Sequence, residues 1–168
     1  ATLRYVRSDL RYKHERIRPA YFDGAINMFS SLGYGSDDDD DAILGNIARC
    51  LKPGGLFFID TMHRDAIILR MERGIRPGKD MPDGTWIQEF PRLDPVAGRI
   101  ETVWRWRTPR GREGQKSASI RIYTITELVH KLERAGFELV SLHRGCSKEP
   151  FSDDHLHERV GFLATRVH

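Results

Sequence analysis

Short apolar stretches with two different spacings follow one another in the first part of the chain. Residues 3–8 alternate between apolar and polar types and predict a strand, and the apolar residues 22–29 predict a strand buried on both faces. Apolar positions within residues 43–51 have helical spacing, and residues 56–60 form a continuous apolar run. The order of strand, helix and strand predicts a parallel β-α-β unit with a right-handed crossover.

Polar and helix-breaking residues mark both ends of the predicted helix. Five consecutive aspartates, Asp37 to Asp41, precede its apolar positions, and negative charge is favourable at the positive end of a helix dipole. We therefore predict that the aspartates form the N-cap and first turn, the alternative being a disordered acidic segment. The segment Lys52-Pro53-Gly54-Gly55 contains residues that stop a helix, so the helix is expected to end there.

The pattern changes in the middle of the chain. Residues 63–73 predict a short helix, and residues 74–84, which are rich in glycine, proline and aspartate, predict a loop. Three β-type runs separated by turns follow, and they predict an antiparallel meander. These strands are predicted at residues 85–91, 99–108 and 115–124.

The last part of the chain predicts one helix and two strands. Thr124 and Glu127 have the spacing of a capping box, so a helix begins there, and Gly136 is expected to end it. Residues 137–143 and 159–167 predict the two strands, and the polar segment between them predicts a loop.

Length and composition predict one globular domain over residues 1–168, with 39% hydrophobic and 30% charged residues. No apolar run approaches the roughly 20 residues that span a bilayer, so we expect no membrane partner. The net charge is +3 with scattered basic residues, which does not indicate a nucleic-acid partner.

Cys50 and Cys146 lack metal-binding spacing and are expected to be reduced in a cytoplasmic protein. Residues 153–157 contain aspartates and histidines without a zinc pattern, so we expect no metal site.

Several segments of the chain stand in a recognisable order. They are Phe22-Asp23-Gly24-Ala25-Ile26-Asn27-Met28-Phe29 followed by Ser30-Ser31-Leu32-Gly33-Tyr34, the acidic helix start, Leu51-Lys52-Pro53-Gly54-Gly55, a strand ending in Asp60, and Tyr123-Thr124-x-x-Glu127-Leu128 with Ala135-Gly136-Phe137. This order resembles the class I S-adenosylmethionine-dependent methyltransferases of small-molecule type. The resemblance covers nearly the whole chain, and the Leu-Lys-Pro-Gly-Gly turn is its most specific part.

The resemblance implies an α/β fold with a Rossmann-like sheet in the strand order 3-2-1-4-5-7-6, whose last strand is antiparallel. Strands 3 to 7 of that sheet would be supplied by residues 3–8, 22–29, 56–60, 137–143 and 159–167. Residues 85–124 would then be inserted antiparallel strands that cover the substrate side. We expect the sheet to be incomplete, because the family's first two strands and its G-x-G-x-G loop have no counterpart in this sequence.

One edge of the strand at 22–29 is therefore expected to lack a neighbour within the family's sheet. An exposed apolar edge invites pairing with another segment. We expect residues 3–8 to occupy that edge, aided by contact with a second copy in a homodimer. The alternatives are a second copy alone, or an N-terminal segment of a longer natural protein.

The resemblance also implies a binding site for S-adenosyl-L-methionine. Asp9 is expected to accept a hydrogen bond from the adenine amino group, with Leu10 beside the ring, and the alternative is a turn aspartate. Asn27, Met28 and Phe29 are expected beneath the methionine part of the cofactor. Open α/β sheets bind ligands at the carboxyl ends of strands, near the point where the strand order reverses. The alternative for Met28 and Phe29 is packing in the core.

Substrate-binding and catalytic residues are expected in the loops and the meander. Tyr34, Trp104 and Trp106 are candidates for a substrate pocket. The two tryptophans share one face of a strand, so packing within the sheet is the alternative. His63 follows the strand at 56–60 and is the candidate general base, since imidazole titrates near neutral pH. The alternative for His63 is a surface histidine.

The sequence thus predicts S-adenosylmethionine-dependent methyl transfer to a small-molecule acceptor, an activity expected to be incomplete in this chain alone. The alternative is a non-catalytic methyltransferase-like remnant or subunit that has lost cofactor binding. A nucleotide-binding dehydrogenase is disfavoured, because the Leu-Lys-Pro-Gly-Gly turn and an antiparallel last strand do not suit it. The acceptor itself is not predicted, since loops and insertions vary freely on this fold.

Overall fold

A computed structural model describes residue 3, residues 5–74 and residues 78–167 of the chain. In this part of the chain the strands are β1 (Phe22–Asn27), β2 (Leu51–Met62), β3 (Lys79–Asp80), β4 (Trp86–Asp94), β5 (Arg99–Arg107), β6 (Glu113–Arg121), β7 (Phe137–Arg144) and β8 (Arg159–Arg166). The helices are α1 (Asp37–Cys50), α2 (Arg64–Glu72) and α3 (Ile125–Arg134), with a short 3-10 helix at Asp153–His155.

The strands form two four-stranded sheets. The first sheet has the order β1-β2-β8-β7, with β1 and β2 parallel and β8 antiparallel to both of its neighbours. This order is the 4-5-7-6 part of the predicted sheet, and the antiparallel last strand is confirmed. The second sheet is the antiparallel series β3-β4-β5-β6, which confirms the predicted meander and adds the short strand β3.

Both predicted helix starts are confirmed, with one change of residue. Ser36, which precedes the aspartates, is the N-cap of α1, and it forms a capping box with Asp39. The aspartates therefore form the first turn, where they face the positive end of the helix dipole. Thr124 and Glu127 form the predicted capping box at the start of α3.

The Leu-Lys-Pro-Gly-Gly segment stops α1 as predicted, but it is also part of a longer strand than predicted. The helix ends at Cys50, and β2 begins directly at Leu51. The pairing of β1 with β2 shifts register between Phe22 and Gly24, and this irregularity accommodates the extra residues.

The predicted strand at residues 3–8 is wrong, and so is its pairing with β1. Residues 5–8 belong to no strand, Tyr5 is 90% exposed, and residue 4 lies outside the described residues. Alternation stabilises a strand only where one face is buried and a neighbouring strand accepts its hydrogen bonds. Within the described residues, β1 is hydrogen-bonded to β2 alone and forms one edge of the sheet.

The hydrophobic core lies on one face of the first sheet. Side chains of β2 and β8, including Phe57, Ile59 and Phe162, pack there against α1 and α3. On the opposite face Ile26 is 76% exposed and Leu56 is 49% exposed. Sheets with parallel strands are usually covered on both faces, so this apolar face is unusually open.

The second sheet is anchored to the loop that follows β1. The Arg99 guanidinium donates hydrogen bonds to the carbonyl oxygens of Gly33 and Gly35, at 3.2 Å and 3.1 Å. The backbone N–H of Arg121 also donates to the Gly33 carbonyl, at 2.7 Å. These bonds fix the position of the meander relative to the end of β1.

Candidate functional site

Two consecutive residues with unusual backbone geometry follow β1. Phe29 has φ 61° and Ser30 has φ 59°, which is the left-handed region that residues other than glycine rarely adopt. The N–H of Phe29 donates to Asp60 Oδ2 at 3.3 Å, and the N–H of Ser30 donates to the Asp60 carbonyl oxygen at 3.1 Å. Strain of this kind persists only where surrounding contacts hold it, and it concentrates at functional sites.

Asp60, which holds this turn, is itself paired with Arg159 at the start of β8. The Asp60 side chain is 1% exposed, and Arg159 donates to its two carboxylate oxygens at 2.6 Å and 2.9 Å. The same guanidinium lies over the Phe29 ring, 5.7 Å from its centroid. No sequence signal indicates Arg159, because the two paired residues are 99 positions apart and no local motif connects them.

The Ser30 side chain joins the turn to the end of β2. Its Oγ accepts a hydrogen bond from the N–H of Met62 at 3.1 Å and lies 3.1 Å from Thr61 Oγ1. Ser31 Oγ in turn donates to the Met28 carbonyl oxygen at 2.9 Å. The carboxyl ends of two adjacent parallel strands are thereby held as one rigid unit.

A cavity of about 160 Å³ lies beside these strand ends. Asn27, Ser30 and Thr61 contribute polar groups to its lining, and most of the remaining wall is aliphatic. Arg121 and Tyr123 also line it, from β6 and the segment that follows. The strand ends of the first sheet, the meander and α3 therefore border an apolar space with polar groups at the strand ends.

The acidic first turn of α1 supports the cavity from outside. Asp40 is 1% exposed, and its carboxylate accepts hydrogen bonds from the Gly33 N–H at 3.0 Å and the Tyr123 hydroxyl at 2.7 Å. Lys131 of α3 donates to Asp41 Oδ1 at 2.6 Å. The aspartate run therefore connects α1 to the loop after β1 and to α3, in addition to starting a helix.

The three predicted cofactor residues at the end of β1 differ in their surroundings. Asn27 is buried and lines the cavity, and its Oδ1 atom has no hydrogen-bond partner among the described residues. Met28 is half-buried, whereas Phe29 is 79% exposed. Of the three, the Phe29 ring is thus the one that is largely exposed, and it does not line the cavity.

Asp9 and Leu10 lie in an exposed turn beside α1. Arg11 donates to the Asp9 carboxylate, with a closest distance of 2.7 Å, and these hydrogen bonds lower the pKa of Asp9 to about 2. The Leu10 carbonyl oxygen accepts a hydrogen bond from Asn46 Nδ2 of α1 at 2.9 Å. The Asp9 carboxylate is therefore ionised and accepts hydrogen bonds at neutral pH.

The predicted substrate residues do not line the cavity. Tyr34 is 63% exposed in the loop after β1. Trp104 and Trp106 lie on the same face of β5 as Ile100, which lines the cavity, but further along the strand. At roughly 3.3 Å per residue, Trp104 is about 13 Å and Trp106 about 20 Å from that point. The structure therefore does not bring these three aromatic residues to the cavity.

His63 is buried, with 1% of its surface exposed, so it is not a surface histidine. Its Nδ1 accepts the N–H of Ala66 at 3.4 Å and caps α2, and its ring packs edge-on against Phe151. The Nε2 atom is buried and has no hydrogen-bond partner among the described residues. Desolvation by burial lowers the pKa of His63, so the imidazole is neutral at pH 7.

Acidification is expected to weaken the folded state through His63. Because its pKa is lower in the folded protein than its ordinary value of 6.5, the unfolded chain binds the proton more readily. The contribution of neutral His63 to the free energy of unfolding is fully present above pH 6.5. It decreases as the pH falls from there toward the lowered pKa of the folded protein. The charge of Asp65 opposes this shift but is the smaller influence.

Urea unfolding at several pH values tests this expectation. The His63→Asn variant retains a helix-capping side chain but has no group that titrates at this position. We expect the free energy of unfolding to decrease more between about pH 7 and pH 5 for the parent protein than for the variant. Equal decreases in both proteins would show that His63 does not carry this pH dependence.

Comparison with known proteins places this chain in a family. A family model described as a methyltransferase domain matches residues 24–142, and the chain therefore belongs to that family. The predicted resemblance to S-adenosylmethionine-dependent methyltransferases is confirmed. No curated protein matches the chain by sequence.

Solved structures of methyltransferases share this fold. An S-adenosylmethionine-dependent methyltransferase from Clostridium acetobutylicum ATCC 824 has a TM-score of 0.79 at 14% identity, with 96% of this chain and 63% of that chain covered. The CcbJ methyltransferase from Streptomyces caelestis has a TM-score of 0.77 at 15% identity, with 96% and 62% covered. SAM-bound CalS10, an amino pentose methyltransferase from Micromonospora echinaspora involved in calicheamicin biosynthesis, has a TM-score of 0.64 at 20% identity, with 95% and 63% covered.

These similarities establish a Rossmann-like methyltransferase fold, as predicted. The chain spans 62% to 63% of the length of these three structures.

None of the helices among the described residues is both long and apolar enough to cross a membrane. The same residues contain no cluster of three or more His, Cys, Asp or Glu side chains placed to hold a metal ion.

Proposed function

We propose that the protein transfers a methyl group from S-adenosyl-L-methionine to a small-molecule acceptor. The observation that carries this proposal is the strained Phe29-Ser30 turn, held by Asp60 at the carboxyl ends of two parallel strands, directly beside a largely apolar cavity. Ligands of open α/β sheets bind at this position. Among proteins of similar structure are the amino pentose methyltransferase CalS10 and the sugar N-methyltransferase KedS8, whose names support a small-molecule acceptor.

The residues at the strand end fit the cofactor by their chemistry. When bound, the cofactor supplies a methyl group on a positively charged sulfur atom, which keeps the electrons of the broken carbon–sulfur bond. The exposed Phe29 ring offers an apolar contact, and Met28 lies beside it in the chain. The ionised Asp9 carboxylate accepts hydrogen bonds, and Leu10 adds an exposed apolar side chain. In this proposal Asn27 lies between the cofactor side and the cavity.

The cavity lining does not include His63, Tyr34 or the two tryptophans, so in this proposal they do not contact the part of the acceptor inside the cavity. His63 is a neutral imidazole one residue beyond Met62, and its role as a general base stays a prediction because His63 itself does not line the cavity. Tyr34, Trp104 and Trp106 would contact only a part of the acceptor that extends beyond the cavity. The meander at residues 85–124 covers the acceptor side in this proposal, since Ile100 and Ile120 form part of the cavity wall.

We further propose that another polypeptide segment covers the open side of the first sheet. The edge of β1 is free, Ile26 and Leu56 are exposed on the open face of the sheet beside it, and Phe29 is exposed in the turn that follows. A second copy of this chain, in a homodimer, is the alternative occupant, and sedimentation at increasing concentration distinguishes the two. Because Cys50 and Cys146 are both free thiols, we propose a cytoplasmic location.

Calorimetric titration with S-adenosylhomocysteine tests the proposed cofactor site. We expect micromolar binding to the 168-residue protein and an affinity about tenfold lower for Phe29→Ala, since loss of one aromatic contact removes roughly 1.4 kcal/mol. Val96→Ala is the matched control, because Val96 is 98% exposed in a turn of the meander. Absence of binding up to millimolar concentration would contradict cofactor binding by this chain alone. It is the outcome expected both of an incomplete site and of the non-catalytic alternative.

A further inference from the structure

The polar groups that line the cavity are engaged with protein partners, with one exception. Ser30 and Thr61 are hydrogen-bonded to each other and to the end of β2. The Arg121 guanidinium donates to the Ile122 carbonyl oxygen at 2.6 Å and to Glu127 at 2.8 Å. Tyr123 donates its hydroxyl hydrogen bond to the carboxylates at the start of α1. These groups therefore have little hydrogen-bonding capacity left for a ligand.

Asn27 is the exception. Among the lining residues that the structure describes, it alone contains a buried side-chain polar atom, Oδ1, without a hydrogen-bond partner. A buried carbonyl oxygen without a partner lowers the stability of the folded protein, and such atoms are rare. A donor supplied by a ligand inside the cavity would satisfy it.

The rest of the cavity wall favours an uncharged ligand. Five isoleucines contribute to the lining: Ile59, Ile67, Ile100, Ile120 and Ile122. The volume of about 160 Å³ is close to the roughly 150 Å³ of an apolar protein cavity that binds benzene. An ionised group placed here would lose its hydration without gaining a counter-ion, because the guanidinium of Arg121 is already paired with Glu127.

We propose that the cavity binds the methyl acceptor through an uncharged apolar part about the size of one six-membered ring, which presents an O–H or N–H donor to Asn27 Oδ1. This assignment of substrate class rests on the proposed methyl transfer. The acceptor group then lies at the carboxyl ends of the strands, next to the Phe29-Ser30 turn. Asn27 is in this view a specificity-determining residue that selects a neutral alcohol, phenol or amine, and the isoleucines exclude carboxylates and phosphates.

Two isosteric probes test the hydrogen bond without relying on activity. At pH 7 the protein, with 13C-labelled isoleucine δ1-methyl groups, is titrated with 3-methylphenol and with 1,3-dimethylbenzene, which differ only by a hydroxyl in place of a methyl group. We expect both probes to shift the methyl signals of Ile59, Ile100 and Ile120. The signal of Ile26, which is 76% exposed on the other face of the sheet, should not shift. The anion 3-methylbenzoate should shift none of them.

The same two probes are titrated into the Asn27→Leu variant. Comparing the ratio of their affinities in the two proteins cancels the intrinsic hydrophobicity of each probe. We expect the ratio of the two affinities to change by about tenfold in favour of 1,3-dimethylbenzene, the effect of one hydrogen bond to a buried acceptor. Binding of 1,3-dimethylbenzene to the variant shows that the cavity is intact. If the variant does not fold, a second comparison takes its place: the parent protein is titrated with 3-methylphenol and with its O-methyl ether. The ether is expected to bind about tenfold more weakly.

Several results would overturn the proposal. They are an unchanged affinity ratio in the variant, equal binding of the phenol and its ether, signal shifts confined to residues outside the cavity, or equally strong binding of 3-methylbenzoate. The S-adenosylhomocysteine titration distinguishes this failure from failure of the proposed function. Absence of S-adenosylhomocysteine binding together with the expected ratio change would contradict cofactor binding by this chain and leave the cavity's preference for a neutral donor standing.

Discussion

Replacing Arg159 with methionine is expected to lower the free energy of unfolding by about 3 kcal/mol, because it leaves the Asp60 carboxylate buried without its counter-ion. Asp60 is 1% exposed, and Arg159 is its ion-pair partner. Arg159 itself is 29% exposed, so the expected loss lies at the lower end of the range for buried ion pairs. The Asp60 carboxylate also holds the Phe29-Ser30 turn, and affinity for S-adenosylhomocysteine should fall along with stability.

The measurement is urea unfolding of the parent protein, Arg159→Met, Asp60→Leu and the double variant. We expect the double variant to recover much of the stability lost in Arg159→Met, since it removes the unpaired buried charge. Asp23→Asn is the matched control, because the ion pair of Asp23 with Lys52 is equally short at 2.6 Å but Asp23 is 88% exposed. A loss of similar size in the control and in Arg159→Met would contradict the importance of burial.

Substitution of Gly33 by alanine is expected to destabilise the protein by about 3 kcal/mol, through backbone strain and overpacking together. Gly33 has φ +93°, and an added Cβ atom would overlap the Arg121 carbonyl oxygen and lie 3.1 Å from Ile120 Cγ2. The loop after β1 and the edge of β6 approach this closely because Arg121 N–H donates to the Gly33 carbonyl. The substitution should therefore also move Ile120 and reduce the volume of the cavity.

Gly54→Ala separates the two causes of this effect. Gly54 has φ +75°, but an added Cβ atom meets nothing within 4 Å. We expect a loss of only about 1 kcal/mol, the contribution of the left-handed backbone alone. Thermal or urea unfolding of both variants gives the comparison, and equal losses would mean that the contact with β6 does not restrict position 33.

Local signals in the sequence predicted most of the secondary structure. The apolar run at residues 56–60, the helix-breaking Leu-Lys-Pro-Gly-Gly segment and the Thr124-x-x-Glu127 capping box each act within a few residues of the chain. Local energetics decide such features, so the sequence shows them directly. The strand predicted at residues 3–8 failed, because alternation says nothing about whether a neighbouring strand is present to pair with it.

The functional site was only partly predictable, because local patterns do not show which distant residues become neighbours. Position at a strand end marked Asn27, Met28 and Phe29 as candidates, whereas no sequence signal indicated that Asn27 Oδ1 would lack a partner. Likewise, the shared face of Trp104 and Trp106 was evident from their spacing, but their distance from the cavity depends on which end of β5 meets the first sheet.

The sequence by itself determined the helices, the strands after residue 21 except the short β3 and the first part of β2, the antiparallel meander and the likeness to methyltransferases, since periodicity, capping and turn residues act locally. The tertiary structure alone decided which groups meet. It paired Asp60 with Arg159 across 99 residues, turned the aspartate run toward Gly33 and Tyr123, and formed the cavity between two sheets. Burial, ion pairing and close backbone approach depend on neighbours distant in the chain, and these set the chemistry of the site.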